Sequence, residues 1–251
     1  STMALDPGVV LAAADSISMQ DRWYYTTRNL FYELVRCGDL PEPVGDGSGD
    51  FATFEGSLAQ FESIHGRLSR LVRKAAPSEE SSVDALSSDL LTYAVRRVVM
   101  FERPELMLLF ALNHFFLKLE CILLAGDGTP NHVQERVRSQ LEVGLPMDFF
   151  VVHDATPEGY AFFERVLEAH AGQDHLTVQR IGITLTQVGS RLDVRETGPV
   201  RSHLDLKHAP EGDALRLAQG HFVHLEEVDP LHLMRLVYNR TVGRFDEVGF
   251  G

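Results

Sequence analysis

The chain has 251 residues, 44% hydrophobic and 24% charged, so it can build a packed core and falls outside the disordered and fibrous classes. Its 23 lysines and arginines stand against 36 aspartates and glutamates, a formal charge of −13 that repels nucleic acid unless basic residues are gathered on one face. There is no apolar run of the ~18 residues a membrane span needs and no basic-then-apolar leader, and Cys37 and Cys121 lack zinc-like spacing; a cytoplasmic protein of two unequal domains is expected.

In chain order, Val9, Val10, Leu11, Ala13, Ile17 and Met19 form the apolar stripe of a helix over 8–20, started by Asp6-Pro7. A second helix is predicted over 26–37, from Thr26 or Thr27 to Gly38. The Gly- and Pro-rich stretch 41–50 predicts an exposed loop. A third helix is predicted over 54–76 from the spacing of Leu58, Phe61, Ile64, Leu68 and Leu71. On that helix Arg67, Arg70 and Lys74 would share one face, with Arg73 nearby, giving either a stripe on which DNA lies or an ordinary solvated face.

The polar, acidic break PSEESSVD at 77–84 marks the expected boundary between a domain of residues 1–78 and one of 85–251. Beyond it, apolar runs at 96–102, 120–126, 148–154 and 176–184 alternate with helical stretches ending near 117, 141 and 170. That alternation predicts an α/β fold with a mostly parallel sheet covered on both faces. Near the end, Asp229-Pro230 opens a last helix after a short strand.

Functional groups in such sheets gather at the carboxyl ends of strands. Glu102 ends the first run, GDGTPN (126–131) follows the second, and Asp154 ends the third. Two strand-end carboxylates can share a hard cation such as Mg2+, or they can simply cap the helices that follow. His221, His224 and His232 lie near Glu226 and Glu227, but strand alternation sets His221 and His224 on opposite faces, and they are read as ordinary histidines. Cys37 and Cys121, in apolar contexts, are read as packing residues.

The series VVMFER, ILLAGDGTPN, FFVVHDATPEGYAFFERV and LTVQRIGIT, over roughly 90–190, resembles the Toprim domain of topoisomerase VI A subunits and of the related meiotic DNA-break transesterase. TTRNLFY (26–32) resembles the same family's TSRDLYY segment in its N-terminal winged-helix domain. The resemblance implies Tyr32 as the nucleophile and Arg28 as its phosphate-holding partner. It implies Glu102 and Asp154 as Mg2+ ligands, in a homodimer that cuts duplex DNA and works with a separate ATPase subunit. A tyrosine hydroxyl of pKa ~10 attacks a phosphodiester poorly without a base, a cation or a metal-bound phosphate, and on a helix Arg28 and Tyr32 share a face. Trp23, Tyr24 and Tyr25 match nothing in the motif and are read as packing residues.

The sequence also departs from the pattern. Thr156 stands where a second metal-binding aspartate is expected, with Glu158 two residues on as a substitute ligand or a helix-dipole partner, and Thr129 replaces a tyrosine in the glycine turn. The expected function is metal-assisted transesterification by Tyr32 in a nucleoid-associated protein. The alternatives are a diverged non-cleaving DNA-binding or assembly subunit, and a Toprim nuclease using metal-activated water in plasmid defence.

Overall fold

The structure is a computed structural model and describes residues 3–43, 48–73, 96–115, 119–125, 131–185, 196–197 and 206–242. It is a mixed α/β protein. Contacts divide it into two compact units: Ser1–Arg73, Asp154–Tyr160 and Ile183–Leu231 form the first, and Lys74–His153, Ala161–Gly182 and His232–Gly251 the second. The 77–84 break, Lys74 and residues 126–130 of the glycine turn lie outside the described residues.

In the first unit, α1 (Pro7–Ser18) starts where Asp6-Pro7 predicts, with the Asp6 carboxylate accepting from the Val9 amide at 3.1 Å. Helix α2 (Thr27–Arg36) is opened by a reciprocal cap: the Thr26 hydroxyl accepts from the Asn29 amide at 3.2 Å, and the Asn29 side-chain oxygen accepts from the Thr26 amide at 2.9 Å. Leu30, Phe31 and Leu34 of α2 meet Val10 and Ile17 of α1 and Phe54, Leu58 and Phe61 of α3 (Ser48–His65) in one apolar core.

Helix α3 ends at His65 and does not continue to 76 as its apolar spacing suggests. Gly66 follows with φ +92°, a left-handed conformation that stops helices and that glycine adopts without strain. The chain then runs extended beside α2's entry, Tyr25 donating to the Arg70 carbonyl at 3.0 Å and Val72 to the Tyr25 carbonyl at 2.8 Å. Leu71 is buried through this bridge and Leu68 in the non-helical stretch before it, its amide donating to the Glu62 carboxylate at 2.8 Å.

The second unit holds β1 (Arg97–Phe101), α4 (Pro104–Leu112), β2 (Cys121–Ala125), α5 (Asn131–Glu142), β3 (Met147–Val152) and β4 (Leu176–Ile181), with α6 (Pro157–Ala169) starting in the first unit and continuing in the second. All three pairings are parallel and the order is β2-β1-β3-β4, as the near-continuous apolar runs predict. Val98, Ile122, Leu124 and Phe149 pack with Val133 and Val137 of α5, and Val151 with Phe162 and Val166 of α6. Adjacent β1 and β3 make a topological switch point, where the Glu102 amide, just past β1, donates to the Val152 carbonyl at 3.0 Å.

The later part of the first unit contains a two-residue antiparallel pairing of β5 (Glu196–Thr197) with β6 (His221–Phe222), helix α7 (Glu211–Ala218) and a single turn of 3-10 helix at Leu225–Glu227. Helix α8 (Pro230–Thr241) starts at Pro230 as expected. Among the described residues no helix is long and apolar enough to cross a membrane.

Candidate functional site around Tyr32 and Asp154

Ala155 and Val223 exchange main-chain hydrogen bonds at 2.9 and 3.1 Å, and this short antiparallel pairing sets Asp154 beside His224. Both carboxylate oxygens of Asp154 are then occupied. Oδ1 accepts from the Leu225 amide at 2.8 Å, and Oδ2 lies 2.9 Å from Nδ1 of His224. Asp154 is buried, and through Oδ1 it takes up the Leu225 amide, the first of the Leu225–Glu227 turn, whose N-cap residue is His224.

The far side of that turn is held by α2. The amide group of Asn29 donates to the carbonyls of Glu226 at 2.9 Å and Val228 at 3.1 Å, and Arg36 donates to the carbonyl of Glu227 at 2.8 Å. Residues 29, 32 and 36 fall at i, i+3 and i+7, so Tyr32 occupies the middle of the helix face that grips the turn. Its ring is fully buried, 5.3 Å from Phe31 and 6.4 Å from the His224 imidazole, the latter at an interplanar angle of 30°. Burial does not separate Tyr32 from the tyrosine read as packing: Tyr25 is equally enclosed and Trp23 nearly so, while Tyr24 is half-buried.

Arg28 is half-buried, with its guanidinium over the Phe51 ring of α3 at 4.1 Å, so it is engaged with an aromatic face. The helix expected to carry the basic stripe ends before Arg67, and Lys74 lies outside the described residues. Arg67 and Arg70 lie beyond the end of α3, Arg70 with φ +59° and its guanidinium over the Tyr24 ring at 4.7 Å, and Arg73 forms a two-pronged ion pair with Glu62. Once Gly66 ends the helix, these side chains no longer share a face.

Thr156, at the missing aspartate position, accepts from the Gly159 amide at 3.0 Å and caps α6, so the helix cap anticipated for Asp154 is made by Thr156. Glu158 is exposed in the first turn of α6, where a carboxylate favours the helix dipole. Glu102 is half-buried at the end of β1. Among the described residues no group of three or more His, Cys, Asp or Glu side chains is placed to hold a metal ion. Each Asp154 oxygen has one partner here, and the Thr156 hydroxyl caps a helix, so Thr156 does not supply the second carboxylate that a shared Mg2+ calls for.

Cys121 is buried as expected, and burial pushes its thiol well above the ordinary range. Cys37 is exposed, contrary to its reading as a packing residue, since it sits just past the last turn of α2. Desolvation and the carboxylates of Glu33 and Asp39 raise its pKa, which leaves it a poor nucleophile.

The sequence gives no hint of the Asp154–His224 pair, whose members are 70 residues apart, or of the buried bond from the Tyr160 hydroxyl to Asp213 at 2.7 Å. The chain matches no protein-family model and no curated protein.

Proposed function

We propose that the chain is a non-cleaving relative of the topoisomerase VI A subunit, with winged-helix-like and Toprim-like parts, acting as an assembly subunit of a DNA-associated complex. One observation carries this reading: Asp154, the strand-end acid of the resemblance, holds with one oxygen the Leu225 amide and with the other the His224 ring of a turn whose other side is gripped by the helix carrying Tyr32. The residues that would cleave DNA in the family thus work here as structural ties. The charge of −13 agrees, because a subunit that joins a complex can leave most phosphate contact to partners such as an ATPase subunit or a second copy of itself.

The test is a covalent-trapping assay. Full-length protein is incubated with supercoiled DNA, with and without Mg2+, quenched in denaturant and scored for nicks, breaks and protein joined to 5′ ends, with light scattering recording its oligomeric state. The expected result is intact DNA and no adduct from wild type and Tyr32→Phe alike. An adduct that disappears in Tyr32→Phe overturns the proposal, and cleavage without an adduct that survives Tyr32→Phe identifies a nuclease instead.

The transesterase remains the second reading, favoured by the imidazole beside Tyr32. With Nδ1 held by Asp154, the other ring nitrogen of His224 is the one able to take a proton. In that reading the Tyr32 hydroxyl passes its proton to the imidazole. Its oxygen then bonds to the phosphorus as the bond to the 3′-oxygen breaks, and that oxygen leaves as a hydroxyl after taking a proton. This reading requires Tyr32 to leave its buried position before DNA can reach it.

A further inference from the structure

On the sheet face covered by α5 and α6, the second unit contains a cleft of about 630 Å³. Its floor is apolar, formed by Met100 and Leu124 near the carboxyl ends of β1 and β2 together with Phe149, and its walls include Val137 and Val166. The volume lies in the range of small-molecule sites, ~300–1,000 Å³.

Two basic side chains stand at the edge of this floor. Arg138 on α5 and Arg165 on α6 both line the cleft, and neither makes an ion pair or hydrogen bond among the described residues. One carboxylate, Glu142, lines it with them, leaving an excess of positive charge on a chain that is otherwise strongly acidic. Along one wall, the His170 imidazole and the Gln173 side chain, at i and i+3, interact with each other. His170 stands edge-on to Phe149 at 5.0 Å between their ring centres.

We propose that this cleft binds a small amphipathic anion, its apolar body on the Phe149 floor and its single anionic group between Arg138 and Arg165. The apolar floor gives affinity to any body of suitable size, whereas the paired guanidiniums discriminate by charge, because a planar fork fits a carboxylate with two parallel hydrogen bonds. The inference uses residues of the second unit alone and does not depend on whether the protein cuts DNA.

Isothermal titration of the full chain with decanoate, decanol and decyltrimethylammonium, each below its aggregation threshold, tests it. Decanoate should bind saturably at one site, at least tenfold more tightly than decanol, and the cationic amphiphile should not bind. The Arg138→Gln, Arg165→Gln double variant should keep the wild-type circular dichroism spectrum and melting temperature and bind decanoate no better than decanol. Equal binding of all three amphiphiles, multi-site binding, no saturable binding, or unchanged decanoate affinity in the double variant overturns the proposal.

Discussion

The side-chain amide of Asn29 donates to the main-chain carbonyl of Glu226 at 2.9 Å, joining residues 197 positions apart in the chain. The same amide reaches Val228, while its oxygen caps α2 from within, so one fully buried side chain satisfies groups on both elements. Asn29→Ala should therefore destabilise the protein by about 2–4 kcal/mol, combining the loss of a cap with buried carbonyls left unpaired. Urea denaturation followed by circular dichroism measures this, and a loss below about 0.5 kcal/mol contradicts the assigned contacts.

Glu62 predicts an acid-sensitive tie. Burial works to raise its pKa, but the Arg73 guanidinium and the Leu68 amide, which donates to it at 2.8 Å, outweigh burial and hold the carboxyl below its ordinary value. A carboxylate whose pKa is lowered by folding contributes stability above the unfolded pKa and loses it as the pH falls through the folded value. Glu62→Gln should cost about 1–3 kcal/mol at pH 7, and the difference from wild type should shrink as the pH is lowered through 4. A difference independent of pH in paired denaturation curves contradicts an ionised tie.

Gly66 isolates a backbone effect. No atom lies within 4 Å of where a Cβ would stand, so substitution meets no clash, but φ is +92°. Gly66→Ala should destabilise by about 1 kcal/mol through backbone strain alone. If the variant is as stable as wild type in thermal denaturation, the left-handed stop at the end of α3 is wrong.

Tyr25 shows the opposite situation, a fully buried phenol whose hydroxyl has no hydrogen-bond partner. Burial, reinforced by Asp21 and Glu62 and opposed by Arg73, pushes its pKa far above the tyrosine range. The folded protein then keeps a proton that the unfolded chain releases, so this group's contribution is intact below about pH 10 and is lost as the pH rises beyond it. Tyr25→Phe should be neutral or stabilising by up to about 1 kcal/mol at pH 7 and should flatten the alkaline fall in stability. Melting temperatures at pH 7 and above pH 10 decide it, and a marked loss at pH 7 points to a hydroxyl that does have a partner.

What the sequence made legible was local. Asp6-Pro7, Thr26 and Pro230 mark helix starts because a cap needs only a few consecutive residues. The parallel sheet was legible because β1, β2 and β3, largely buried, read as near-continuous apolar runs spaced by helical stretches. The end of α3 was not, because Leu68 and Leu71 continue the helical spacing by coincidence while being buried beyond the helix, Leu71 through its bridge to Tyr25. The ties of Asp154 to His224 and of Asn29 to Glu226 join distant segments and leave no periodic trace, so the burial of Tyr32 between them was equally invisible.

The scattered composition of the first unit has a consequence for synthesis on the ribosome. Its early segment ends at Arg73, but the residues that Asn29 and Arg36 grip lie in the segment that closes at Leu231. At 5–20 residues per second, roughly 160 further residues take on the order of ten to thirty seconds to emerge. Throughout that interval the nascent α2 has no Leu225–Glu227 turn to close over Tyr32, and a helper that shields apolar surface during translation has its natural point of action there.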